Sequence, residues 1–147
     1  MQGNNRLPYL HYLLGVTHQE IGEQEEAARE YEIAITLNPS NADAHNGLGI
    51  VHAQQNQMGE AREHFELAYR IDKSRLEPLD NLTRLHLQLG ENAAAANYYR
   101  EFRKAGGSPL PEFEKLLAEE LKKPEAVEAQ QPEPIPTDAV PIIASPN

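Results

Sequence analysis

The sequence predicts an all-α fold, a solenoid of stacked helix–turn–helix units, and two observations carry the prediction. Side chains of the same kind return every 34 residues: Leu14 as Leu48 and Leu82, Ala27 as Ala61 and Ala95, Tyr31 as Phe65 and Tyr99, and His18 as His52 and His86. Repetition at this interval marks supersecondary units too small to bury their own apolar faces, which gain a core by stacking. Within a unit, the apolar residues fall at helical spacing in two runs interrupted by a glycine. Neither observation identifies a ligand.

The first helix is expected from about Pro8 to Glu20, with Leu10, Leu13, Leu14 and Ile21 at helical spacing and Pro8 tolerated in the opening turn, where N–H groups lack partners. Gly22 breaks the run. A second helix, Gln24 to Leu37, places Ala27, Ala28, Tyr31, Ala34 and Ile35 on one face and the charged residues elsewhere. Asn38-Pro39 ends it, because the residue before a proline is pushed out of helical geometry. Gly15 and Ala27 let the two helices approach, and Tyr31 fills the space between them. Ser40 with Asp43, and Ser74 with Glu77, have capping-box spacing at the starts of the next two units. Gly90 marks the turn inside the third unit.

After Gly106-Gly107, Ser108-Pro109 is expected to open one more helix, to about Lys122, with Phe113, Leu116, Leu117 and Leu121 as its apolar stripe. Such a helix closes the open end of a solenoid. The organisation is therefore an extension over 1–7, a repeat domain over 8–123 (units 8–41, 42–75 and 76–109, closing helix 109–123) and a tail over 124–147. That tail holds six of the chain's eleven prolines, four acidic residues and no basic ones, so it is expected to be disordered. It has no P-x-x-P spacing, and Ile142-Ile143 is its one docking-motif candidate.

Leu14, Gly15, Ala27, Tyr31, Ala34 and Pro39 stand where the tetratricopeptide repeat family places its Leu, Gly, Ala, aromatic, Ala and Pro. The second unit supplies Leu48, Gly49, Ala61, Phe65 and Ala68, with Lys73 in the proline's place. The third supplies Leu82, Ala95 and Tyr99, with Thr83 and Phe102 replacing Gly and the final Ala, which points to looser packing in a terminal unit. The chain thus resembles that family, and the resemblance implies a right-handed α-solenoid, the TPR superhelix.

Composition narrows the function. Thirteen Lys and Arg against 23 Asp and Glu leave a formal net charge of −10, which repels phosphate backbones and argues against a nucleic-acid partner. With no cysteine there is no disulfide and no thiolate metal site. The start MQGNNRLPYL has no apolar signal core, Gln2 denies the Met-Gly of myristoylation, and no run spans a membrane. A soluble cytoplasmic protein is the expectation, or a bacterial periplasmic one if a leader has been removed.

Chemistry finds no support. His11 and His18, like His45 and His52, are seven apart, about 10.5 Å along a helix, whereas metal pairs need three or four. His18, His52 and His86 are expected to pack inside their units, buried and neutral, with depressed pKa values. No nucleophile is paired with a base, no glycine loop cradles phosphate, and the Glu20–Glu32 carboxylates read as a solvated face. Asn81-Leu82-Thr83 is formally a glycosylation sequon, but it falls mid-helix beside a packing position. No enzyme activity, cofactor or metal is expected.

Recognition remains. The resemblance implies that the first helices of successive units line a concave groove. Its ligand-facing positions here are Tyr9, Tyr12 and Val16, then Asp43, Asn46 and Ile50, then Glu77, Asp80 and Arg84, flanked by Gln19, Glu20, Ala53, Gln54, Leu87 and Gln88. The groove reads as aromatic and apolar at one end and acidic with one arginine at the other. It suits an adaptor for a protein or peptide segment with apolar anchors and a basic flank. At the five positions of the family's carboxylate clamp (Lys, Asn, Asn, Lys and Arg) this chain has Tyr12, Val16, Gly47, Glu77 and Asn81. The alternative function is a self-associating subunit of a secretion, pilus or maturation assembly, docking as a homo-oligomer through the N-terminal helix, where Tyr9, Leu10 and Leu13 stand uncovered.

Overall fold

The computed structural model describes residues 6–125, and the expectations for the tail beyond them lie outside the described residues. All eight elements are helices: α1 Arg6–Glu20, α2 Gln24–Leu37, α3 Ala42–Gln54, α4 Met58–Ile71, α5 Leu76–Gln88, α6 Asn92–Lys104, α7 Pro111–Leu116 and α8 Ala118–Leu121. They pair as antiparallel hairpins, α1 with α2, α3 with α4 and α5 with α6. Each second helix also packs on the first helix of the next hairpin, while α1, α3 and α5 touch in series. The architecture is that of an α-solenoid.

The turn inside each hairpin is built the same way three times. Gly22, Asn56 and Gly90, 34 residues apart, take positive φ of 86°, 61° and 75°. A left-handed residue just past a helix end lets the next N–H reach back to a carbonyl of the last turn. Accordingly Glu23, Gln57 and Glu91 donate their N–H to the carbonyls of His18, His52 and His86. The histidine ladder answers from the side chain. His18 Nδ1 donates to Glu23 at 2.6 Å, His52 Nδ1 to Gln57 at 2.6 Å and His86 Nδ1 to Glu91. The expectation that the ladder packs inside its units holds only for His86, which is buried, whereas His18 and His52 remain partly exposed. The ladder clasps the turns, because a ring at the end of each first helix meets an acceptor five residues on, across the tight turn. In the third turn Glu91 also takes Arg62, and its pKa lies below the usual carboxylate range, foremost through the bond from His86.

Three apolar clusters follow one another along the array. The first joins Ala27, Tyr31 and Ala34 to Ala44, Leu48 and Val51; the second joins Ala61 and Phe65 to Leu82 and Leu85; the third holds Leu79, Ala95, Ala96, Tyr99, Phe102, Phe113 and Leu117. Glycines admit the aromatic rings. A Cβ at Gly15 would stand 2.7 Å from the Tyr31 ring, one at Gly47 2.5 Å from it, and one at Gly49 2.7 Å from Phe65. Tyr31 is thus clamped between its own hairpin and the next, with its hydroxyl donating to Gln19 at 2.7 Å.

Three expectations are corrected. The first helix begins at Arg6 rather than Pro8, since proline is tolerated anywhere in an opening turn. The Ser40 and Ser74 capping boxes do not form. Asn41 caps α3 by accepting from Ala44 N–H, Arg75 precedes α5 without a side-chain cap, and both serines fold into turns closed by Asn38 and Asp72. Thr83, in the glycine's place, is fully buried with its hydroxyl satisfied by the Leu79 carbonyl at 2.8 Å, and α5 and α6 pack over a smaller contact than the helices of the first two hairpins, as the replacements in the third unit imply. Finally, the closing helix is two short pieces that break at Leu117. It starts at Pro111 instead of Ser108-Pro109, and Leu116 faces outward, 63% exposed, while Leu117 is buried with Phe113.

Candidate peptide-binding groove

The first helices carry the groove because they touch in series, so residues spaced three and four apart on each form adjoining strips. A recess of about 610 Å³ is lined by Tyr9, Tyr12, Val16, Asp43, Asn46, Ile50 and Glu77 among others. A second, of about 480 Å³, continues from Asn46, Ile50 and Glu77 to Asp80, Asn81 and Arg84, with Leu76, Phe102 and Leu110 as its apolar wall. The sequence-derived groove positions therefore fall on one continuous concavity. Gln19, Glu20 and Gln54 line it too, whereas Ala53 and Leu87 pack against the core clusters instead.

Aromatic surface dominates the end near α1. Tyr9 and Tyr12 have ring centroids 6.0 Å apart, and Tyr12 stands 6.1 Å from Tyr31, so a row of three rings runs from solvent into the core. Burial, then the charge of Asp43, pushes the Tyr12 hydroxyl above its ordinary pKa and keeps it a neutral donor. Tyr9 is 59% exposed, and large open aromatic area of this kind anchors partners at interfaces.

The other end departs from expectation. Two arginines stand in the groove instead of one, and both are occupied. Arg75 meets Asp43 of the preceding hairpin at 2.6 Å and Asp72 at 3.3 Å. Arg84 meets Asp80 and Glu112, both at 3.0 Å, and lies 4.7 Å above the Phe113 ring, so it fastens α5 to α7. The hydrogen bond to Asp80 foremost raises the Arg84 pKa, which leaves its positive charge fixed. Half-exposed pairs like these contribute at most about 1 kcal/mol each, but they decide which charges a ligand meets. Among the described residues, Glu20 and Glu77 have no cation within ion-pair distance, so the free charge of the groove is acidic. Asn81 Nδ2 donates to Asn46 at 2.9 Å across two helices, and Thr83 is fully buried, which makes the sequon a packed part of the wall.

Arg75 escaped the sequence reading because it precedes α5 rather than lying on it. Gly47 escaped as well, though a glycine in mid-helix is itself a sign of close packing. A different cluster also emerges from the histidines. His64 stacks between His45 and His52, with ring centroids 5.4 Å away on both sides, and its Nδ1 lies 3.1 Å from that of His45. Among the described residues no three His, Asp or Glu side chains converge on a point that could hold a metal ion. No described helix is long and apolar enough to cross a membrane.

Comparison with known proteins agrees with this architecture. The family model described as tetratricopeptide repeat matches residues 12–75. No curated protein matches the chain. Among solved structures, the first TPR of Spaghetti (RPAP3), bound to the HSP90 peptide SRMEEVD, is 14% identical with a TM-score of 0.73, over 82% of this chain and 97% of that one. The Yersinia enterocolitica type III secretion chaperone SycD, in complex with a peptide of the translocator YopD, is 19% identical with a TM-score of 0.64, over 77% and 86%. MamA is 22% identical with a TM-score of 0.65 over 69% of this chain, which spans 60% of MamA's length. The family model thus identifies residues 12–75 as tetratricopeptide repeat, and the 34-residue register, the hairpins and the likeness of fold agree with it along the described helices.

Proposed function

We propose that this chain is a non-enzymatic adaptor that holds an extended or helical segment of another protein in its concave groove. The observation that carries the reading is the continuity of the two recesses through Asn46, Ile50 and Glu77, with an exposed aromatic row at one end and free carboxylates beyond it. Apolar anchors of the partner seat against Tyr9, Tyr12, Val16 and Ile50, and basic residues face Glu20 and Glu77. Asp43, Asp80 and Arg84 shape the walls through their ion pairs. Two of the structurally similar proteins hold peptides, which supports a peptide-sized occupant.

The test is a quantitative affinity capture from host lysate with the unmodified protein and a Tyr12→Glu, Ile50→Glu variant, after circular dichroism shows that both fold. Partners lost with the variant are the expected result. If every specific partner survives, the groove is not the binding face. The same reading forbids an acidic carboxylate-terminated ligand: none of the five clamp positions carries the family's residue, Asn81 in the arginine's place is engaged by Asn46, and Glu77 repels the terminus. Titration calorimetry with SRMEEVD is expected to show no heat of binding at micromolar protein. A micromolar affinity would overturn the assignment of Glu77 as a free groove charge.

A further inference from the structure

One end of the groove repeats an arrangement that the chain has filled for itself at the other. Arg84 lies 4.7 Å above the Phe113 ring while its guanidinium meets Asp80 and Glu112, both at 3.0 Å, so a flat cation is held between an aromatic face and two carboxylates. Near α1, Tyr9, Tyr12 and Glu77 line one recess, and the charge of Glu77 reaches the Tyr12 hydroxyl and helps to raise its pKa. Ring and carboxylate are present there, and no cation of the chain takes them. Arg75 lines the same recess but is held by Asp43 at 2.6 Å and Asp72 at 3.3 Å. Glu77 is exposed and has no ion-pair partner among the described residues.

The charge balance gives the sign of the missing group. Glu20, Asp43, Glu77 and Asp80 line the two recesses against Arg75 and Arg84, and each arginine is shared with a further carboxylate, Asp72 or Glu112. The excess is negative, and it is concentrated early in α5, where Glu77 and Asp80 are neighbours three residues apart. Asp80 carries a second sign of an absent donor. Its Oδ2 accepts from Arg84, whereas its Oδ1 is buried without a hydrogen-bond partner. An oxygen left in that state is costly, and an N–H that settles beside Glu77 and draws the Asp80 carboxylate toward it relieves the cost.

Shape selects among cations. Tyr9 and Tyr12 have ring centroids 6.0 Å apart and planes tilted by 32°, and Tyr9 is 59% exposed, so they offer open faces to a flat group. A guanidinium stacks on such faces and donates sideways through its fork, while an ammonium is a point charge without a plane to stack. Beyond Glu77, the recess of about 480 Å³ walled by Leu76, Phe102 and Leu110 takes an apolar neighbour. We infer that the groove selects a partner segment carrying an arginine, whose guanidinium lies on the Tyr9 and Tyr12 rings and pairs with Glu77, with an apolar residue beside it in the second recess. This selectivity rests on the adaptor reading and narrows its partner.

Selection of a phage-displayed random dodecapeptide library on the immobilised 147-residue chain tests it. A Tyr12→Ala, Ile50→Ala variant, shown by circular dichroism to fold, truncates the groove without altering its charge. Peptides that bind the unmodified protein and are lost with this variant are expected to share an arginine beside an apolar residue. In fluorescence polarisation with one such peptide, citrulline in place of its arginine keeps the shape, removes the charge and should weaken binding about tenfold; lysine should weaken it about threefold. Glu77→Gln, at an exposed site that the fold does not need, should weaken the arginine peptide about fivefold. It should leave the citrulline peptide within about twofold, because both changes remove the same pair. If no recovered peptide depends on the groove, the adaptor reading fails and the arginine subsite with it. If groove-dependent peptides lack arginine, or bind the Glu77→Gln variant as tightly as the unmodified protein, the subsite is refuted and the adaptor reading stands.

Discussion

Replacing Tyr31 by alanine should destabilise the fold by about 3–5 kcal/mol, the range for removing a fully buried aromatic side chain. The side chain is 1% exposed and joins two hairpins, so its loss opens the first apolar cluster and also strips Gln19 of its hydroxyl donor. Small domains keep only about 5–15 kcal/mol of stability in total, so a large share disappears with one ring. Urea denaturation checks the value. A cost under about 1 kcal/mol would mean that the ring is not the clamp between hairpins.

The glycines around the ring make the same point with a change of sign. A Cβ at Gly47 would stand 2.5 Å from the Tyr31 ring, so Gly47→Ala is expected to cost about 1–3 kcal/mol by overpacking. In the Tyr31→Ala background the obstruction is gone. There the greater helix propensity of alanine remains, and the substitution in α3 should stabilise by up to about 1 kcal/mol. The two residues touch, so a coupling energy of this kind is expected of them and absent for distant pairs. Additive behaviour in the double-mutant cycle would refute the contact.

Tyr31 was visible in the sequence because it recurs at position 65 as Phe and at 99 as Tyr, and α2 was bounded correctly because Gly22 and Asn38-Pro39 punctuate it. Gly47 does not recur: its counterparts are Leu13 and Asn81, so periodicity hides it, and its mid-helix place was the one sign of the contact that the second face of the Tyr31 ring makes there. The closing segment shows the opposite failure. The expected apolar stripe put Leu116 inside together with Leu117, but the chain enters α7 at Pro111 and not at Ser108, the helix breaks at Leu117, and only Leu117 of the two is buried. The groove strips on α1, α3 and α5 were legible through the resemblance, whose ligand-facing positions the 34-residue register carries onto this chain. Its charges were not, since Arg75 reaches Asp43 across hairpins and Arg84 reaches Glu112 on α7. In the ladder, the register of His18, His52 and His86 was plain. Their role depended on Glu23, Gln57 and Glu91, which approach only after the turn closes.

Mild acid should weaken the fold through His64 and His45. His45 Nε2 faces the Pro39 carbonyl at 3.0 Å and must donate to it, which leaves Nδ1 of the neutral ring as an acceptor; His64 Nδ1–H, 3.1 Å away, supplies the donor. The pair is satisfied with both rings neutral, and protonating both sets two N–H groups against each other. Burial first, and then the neighbouring His45 and His52, brings the His64 pKa down to about 4, and burial lowers that of His45 as well. In the unfolded chain these groups titrate near 6.5. Above that value both states are neutral and the full stability is present. As pH falls from about 6.5 toward about 4 the unfolded chain binds protons that the native one refuses, so stability declines across that window and levels off below it. Because His64 keeps some contact with solvent, the loss is on the order of 1–2 kcal/mol rather than the full value of the shift. Urea melts at several pH values through the window should show this fall. His64→Phe, which keeps a ring between His45 and His52 but cannot titrate, should flatten it. A slope that persists unchanged in the variant would assign the acid sensitivity to other groups and leave the three stacked rings a purely structural contact.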